Sequence, residues 1–184
     1  MKRSLFAAAL TGMALVSLPF TARAQVSTVA NPVQFGIAAG ASLPMSDLSN
    51  ATNTGFNVTG TVGFHPEMIP LGIRIDGAYN RFAVKNNNAG VTGDFHFTSL
   101  TGNLVYSIPS TGVAPYLIGG AGVYNAAANI AGFGGSSNKF GWNLGGGIKM
   151  PLSGFDTFLE ARYNQIQGNG GSLKFIPITF GVMF

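Results

Sequence analysis

Five ionisable side chains are spaced so that a β-strand would turn them away from an apolar face. Arg74 and Asp76 alternate with Ile73 and Ile75, and Glu160 and Arg162 alternate with Leu159 and Ala161. Lys149 sits between Ile148 and Met150 in the same way. Residues two apart on a strand share one face, so each short phrase delivers an opposite-charge pair to the same side. Buried charges are costly unless they neutralise one another. The chemistry these residues suit is therefore a salt-bridge network in an interior, either a polar plug or the gate of a narrow ion path. The plug is the expectation.

Other residues with chemical potential are sparser. Asp94, His96 and Thr98 alternate along one segment, and a hydroxyl nucleophile needs a base within reach and a group to orient that base. By parity with Leu100, His96 and Thr98 fall on the apolar face. His65 stands alone beside Pro66 and Glu67, without the partners a metal site needs. The glycine pairs and triplet (Gly119-Gly120, Gly134-Gly135, Gly145-Gly146-Gly147) open no helix, so they do not make a phosphate cradle. No cysteine is present, which excludes a lipoprotein anchor, disulfides and thiolate metal sites together. No catalytic residue, cofactor or metal ligand is expected.

The elements that carry these residues read as strands. Apolar residues at every second position mark eight segments: Val33–Leu43, Gly55–Phe64, Leu71–Val84, Asp94–Ile108, Pro115–Tyr124, Lys139–Met150, Thr157–Gln167 and Leu173–Phe184. The sixth is the clearest, with Phe140, Trp142, Leu144, Ile148 and Met150 against Gly141, Asn143, Gly145, Gly147 and Lys149. In the fifth both faces are apolar or glycine. The last places Ile176, Ile178, Phe180, Val182 and Phe184 on one face and ends on the terminal aromatic. Short Pro-bearing turns (His65–Pro70, Pro109–Ala114, Pro151–Asp156) alternate with longer polar loops (Pro44–Thr54, Lys85–Gly93, Asn125–Asn138), of which the third is the longest. Aromatics near strand ends make two belts, Phe64, Tyr106, Phe158 and Phe184 at one level and Phe56, Tyr79, Phe140, Trp142 and Tyr163 at the other.

Composition and the N-terminus narrow the class. Lys2 and Arg3 precede an apolar run, Leu5 to Leu18, and Ala22-Arg23-Ala24 offers a cleavage site. We expect residues 1–24 to be a secretory signal peptide, cut after Ala24, and 25–184 to be one domain. Without that segment ten basic residues fall to seven against six acidic ones, so no basic patch is left for nucleic acid. Charged residues are only 9% of the chain, against roughly 25% in an ordinary soluble domain. After Leu18 there is no apolar run of about 18 residues to cross a bilayer as a helix. An apolar exported chain without such helices satisfies its backbone in lipid by closing a sheet. The expected fold is all-β: an eight-stranded antiparallel up-and-down transmembrane β-barrel. In a barrel of that size the third and seventh strands face each other across an interior just wide enough for side chains to fill.

With these features in place, the chain resembles the small OmpA/OmpX-like outer-membrane β-barrel family over Val33–Phe184. The resemblance rests on terminal Phe184, on Phe158-Leu159-Glu160-Ala161-Arg162-Tyr163-Asn164, on Pro115-Tyr116 opening a glycine-rich strand, and on Ser99-Leu100-Thr101-Gly102-Asn103-Leu104. It implies an outer-membrane location with the Pro-bearing turns and both termini in the periplasm. It also implies an internal salt-bridge network formed here by Arg74, Asp76, Lys149, Glu160 and Arg162. Phe180, Val182 and Phe184 would form the C-terminal signal read by the barrel-assembly machinery. No peptidoglycan-binding domain follows Phe184, so the two-domain form is not expected. Implied partners are outer-membrane lipid, lipopolysaccharide and the assembly machinery, with the barrel a monomer. The implied role is structural or surface interaction in the envelope. A narrow pore for water or small ions is the alternative. A lipid A-modifying barrel enzyme is the second alternative, since His96 and Thr98 resemble the lipid-facing His and Ser of lipid A deacylases, with Thr in place of Ser.

Overall fold

The computed structural model describes residues 32–66, 69–85, 93–130, 133–168 and 171–184. The expected signal peptide and its cleavage site lie outside them. Eight antiparallel strands run in chain order: β1 (Val33–Met45), β2 (Gly55–Phe64), β3 (Leu71–Ala83), β4 (Gly93–Ser107), β5 (Ala114–Ile130), β6 (Phe133–Leu152), β7 (Phe155–Gln167) and β8 (Ser172–Met183). Each pairs with the next and β1 pairs with β8, so the sheet closes and no strand is left as an edge along the whole barrel. The chain end makes part of the seam. Phe184 N–H donates to the Phe35 carbonyl at 2.7 Å, and Phe35 N–H donates back at 3.0 Å.

The period of two decides which face meets lipid. Ile37, Leu100 and Leu144 are each 60% exposed or more, whereas Arg74, Asp76 and Glu160 are buried. On β5, where sequence parity was silent, Leu117 and Val123 point out and Tyr116, Ile118 and Tyr124 point in. The narrow bore selects that face: the inward neighbours Gly120 and Gly122 leave room beside the three large side chains, while a lipid face has no such limit.

Three connections differ from expectation. Most of the expected loop Asn125–Asn138 is strand: β5 and β6 stay paired from Asn125↔Asn138 out to Ile130↔Phe133. Its Ala, Gly, Ser and Asn residues show no apolar alternation because this part of the hairpin runs outward from the headgroup level. Pro151–Asp156 narrows to a turn at 153–154, because Pro151↔Asp156 and Leu152↔Phe155 continue the ladder. Gly154 there takes φ +97°, a left-handed conformation open to glycine. The segment after β1 carries a one-turn helix, α1 (Asp47–Ala51), whose Leu48 is buried at the outer mouth. Thr52 holds that turn in place by donating to the Leu48 carbonyl at 2.8 Å.

The belts also need one correction. Phe158 has the parity of Glu160 and Arg162, and it is buried in the lumen rather than set in the periplasmic belt. Phe155, packed on Phe184 at 6.0 Å, takes the belt position instead. Along the outer belt, Phe56 meets Tyr79 at 6.0 Å and Trp142 meets Tyr163 at 5.6 Å.

Candidate functional site, the lumen charge layer

The mid-lumen is built by two strands that lie opposite each other. β3 offers Arg74 and Asp76, and β7 offers Glu160 and Arg162. Arg74 Nη2 reaches Glu160 Oε2 at 2.6 Å, and Arg74 Nε reaches Asp76 Oδ1 at 3.1 Å. Arg162 Nη2 meets Asp76 Oδ2 at 2.7 Å, and Arg162 Nε donates to Glu160 Oε1. Two cations and two anions thus close a ring in which every charge touches both opposite charges. The net charge of the ring is zero. That is the condition under which a buried set of this kind can be tolerated, because each desolvated ion has its hydrogen bonds met.

Neutral donors complete the shell. Tyr116 donates to Glu160 Oε2 at 2.7 Å, Asn103 Nδ2 to Asp76 Oδ2 at 2.9 Å, and Thr61 Oγ1 to Asp76 Oδ1. The Arg74 guanidinium lies 5.7 Å from the centre of the Phe158 ring, a cation–π geometry. Of these, Phe158 was available from strand parity. Tyr116 was not, because β5 is apolar on both faces, and neither Asn103 nor Thr61 carries a charge to mark it.

Lys149 does not join the ring. Its strand position, paired with Phe158, lies below the Gly147↔Glu160 pair, toward the periplasm. There it meets Asp156 at 3.5 Å, an acid of the adjoining turn region that also accepts from Gln34 Nε2 at 3.0 Å. Lys149 and Gln34 line a periplasmic vestibule of about 50 Å3 together with His65 and Ser107. Burial, and then the charge of Lys149, hold the His65 imidazole below its ordinary pKa.

Apolar clusters flank the ring toward both ends, and the lining of the periplasmic vestibule extends past Tyr116 and Phe158 to Arg74. Toward the outside, Leu48, Phe82, Phe97, Tyr124, Ile166 and Phe175 form one buried cluster. Phe97 and Phe175 stack at 5.5 Å, and Phe82 meets each of them edge-on. Toward the periplasm, Ala38, Tyr116, Ile118, Phe158 and Met183 form a second. Beside the ring is a polar cavity of about 30 Å3, lined by all four ring residues and by Asn57, Asn80 and Thr101 among others, with room for about two waters. The expected polar filling is thus present, with Ser42, Asn57 and Asn80 hydrogen-bonded as a further buried polar set, and with apolar clusters toward both ends.

On the outer wall the Asp94, His96 and Thr98 constellation is only partly assembled. His96 Nδ1 lies 3.3 Å from Asp94 Oδ2, but Arg81 Nε also takes Asp94 Oδ2, at 3.3 Å. Among the described hydrogen bonds, none joins His96 to Thr98, so no base is engaged with that hydroxyl.

The sequence matches the family described as outer membrane protein beta-barrel domain over residues 7–184. No curated protein matches it. Among solved structures, Neisserial surface protein A (NspA) is similar with a TM-score of 0.67 at 18% identity, over 83% of this chain and 96% of that one. A major outer membrane protein from Thermus thermophilus has a TM-score of 0.52 at 13% identity, over 84% and 99%. Ail, the attachment invasion locus protein of Yersinia pestis, in a bilayer nanodisc has 0.51 at 18% identity, over 82% and 99%. At these identities the likeness is one of fold.

Proposed function

Because the chain belongs to the outer membrane protein beta-barrel domain family, and so sits in the bacterial outer membrane, we propose that it works there as a sealed barrel. Its role on this reading is structural and surface-interacting: it anchors in lipid through its outer wall and offers its outward ends for contact. The observation that carries the reading is the filled lumen, an ion ring between two apolar clusters. An apolar constriction excludes ions by dewetting, and a ring whose charges are all paired offers a permeating ion no free partner. The monomeric state fits the closed sheet, which leaves no full-length edge for a second copy. The terminal Phe180, Val182 and Phe184 are read as the signal for the assembly machinery, and the seam bonds of Phe184 give the same residue a role in closure.

The reading is non-enzymatic. It is supported by Asp94 being shared with Arg81 and by Thr98 having no described bond to His96. Stopped-flow light scattering on vesicles that contain the protein tests sealing, and mass spectrometry of lipid A from expressing cells tests chemistry. We expect solute and water permeation at the rate of protein-free vesicles and unaltered lipid A. Solute flux above that baseline would return the pore, and deacylated lipid A the enzyme.

A further inference from the structure

The Arg81, Asp94 and His96 cluster has a geometry suited to another task. We infer that it is a lateral binding site for the phosphomonoester headgroup of an outer-leaflet lipid.

Height is the first argument. Leu71 pairs with Tyr106 at the periplasmic rim, and ten residues along the same two strands Arg81 pairs with His96. At about 3.3 Å per residue and a tilt near 40°, ten residues climb about 25 Å, the height of the apolar band of an outer-membrane barrel. Arg81 and His96 therefore stand where hydrocarbon gives way to headgroups. Their parity is that of Ile75, Tyr79, Leu100 and Leu104, so they face lipid and not the lumen.

The second argument is how the donors are presented. Asp94 takes Arg81 through Nε and His96 through Nδ1. Among the described residues that leaves the two terminal guanidinium nitrogens as donors, joined by imidazole Nε2 when the ring carries both protons. Arg81 is half exposed. A guanidinium that presents its terminal nitrogens is suited to a phosphate, and a protonated His96 can donate to a further phosphate oxygen. Asp94 positions both donors and does not itself touch the anion.

The surroundings fit a lipid rather than a free ion. Tyr79 packs on His96 at 6.0 Å and on Phe56 at 6.0 Å, making an aromatic shoulder below the Arg81 guanidinium at the acyl boundary. On the other side His96 pairs with Ala127, and Ala127 with Ser136, so small side chains leave the flank open. One shoulder is apolar, and the top carries the half-exposed Arg81 guanidinium. That is the outline of a phosphorylated amphiphile lying against the wall.

The test is native mass spectrometry of the full barrel in nanodiscs that contain either bisphosphorylated lipid A or the same lipid with both phosphates removed. Wild type should retain the phosphorylated lipid about tenfold more than the other, as one or two charge-assisted bonds at an exposed site allow. Arg81→Gln with His96→Gln should abolish that preference. Lys174→Gln removes an outer-rim cation on β8, away from the cluster, and should leave it intact. Inorganic phosphate in detergent should give no retained adduct. Equal retention of both lipids, or an equal loss in the Lys174→Gln protein, would overturn the site in favour of general surface charge. A phosphate adduct without lipid would overturn its assignment to a lipid. Folding of each variant is read from its gel mobility before and after heating.

Discussion

The ring charges are interdependent because each has two opposite neighbours. Glu160→Gln leaves Arg74 and Arg162 sharing Asp76 alone, and breaking a buried pair costs roughly 3–5 kcal/mol. Urea titration of the refolded protein should show a loss of that order, with Glu160→Gln and Arg74→Gln together losing less than the sum of the two single changes. Additivity would mean the contacts contribute no coupling. Steric room sets a second residue-level demand. A Cβ on Gly147 would lie 2.5 Å from the Leu159 carbonyl oxygen and 2.6 Å from Tyr116 Oη, the group that donates to Glu160. Gly102, on the lipid face, has nothing within 4 Å of that point. Gly147→Ala should therefore lower the urea midpoint and Gly102→Ala should not. Equal midpoints would show that Tyr116 moves aside without loss. Charges were legible in the sequence because a charged residue among apolar ones announces an interior. Alternation also put Asn103 and Thr61 opposite the apolar face without marking them as ring partners, and Tyr116 was not legible because its strand is apolar or glycine on both faces.

Strand identity follows from alternation wherever lipid covers one face, and fails where it does not. That is why β6 was clear through Phe140–Met150 yet its outer part, 133–138, was missed as part of a strand. Within the covered part, position along the strand decides the cost of a charge. Leu144 is 60% exposed near mid-band, while Ile148 lies four residues nearer the periplasmic rim. Arginine on the lipid face costs about 2–4 kcal/mol at the midplane and falls toward the interface. Leu144→Arg should thus refold into lipid vesicles much less stably than Ile148→Arg, and equal stability would mean the two residues share a depth. On β8, removal of Phe184 takes away both an outward aromatic and the two backbone bonds to Phe35. The shortened chain should be exported yet accumulate poorly in the outer membrane. Normal yield would place the assembly signal elsewhere.

At the scale of the molecule the barrel is a wall and a filling. The wall was legible from period two and from exported, charge-poor composition. The filling was legible only in its polar part. Phe82, Phe97 and Phe175 read as ordinary strand aromatics, and no local pattern reveals that β3, β4 and β8 bring them together above the ring, nor that Leu48 of a one-turn helix drops in among them. This outer layer changes what breaking the ring should do. Glu160→Gln alone opens the charge layer but leaves the aromatic layer shut. The most direct test of the sealed barrel is single-channel recording in planar bilayers, comparing wild type, Glu160→Gln, and Glu160→Gln combined with Phe82→Ala and Phe175→Ala. A flat baseline is predicted for the first two and openings for the third alone; steady unitary currents through the wild-type protein would contradict the account.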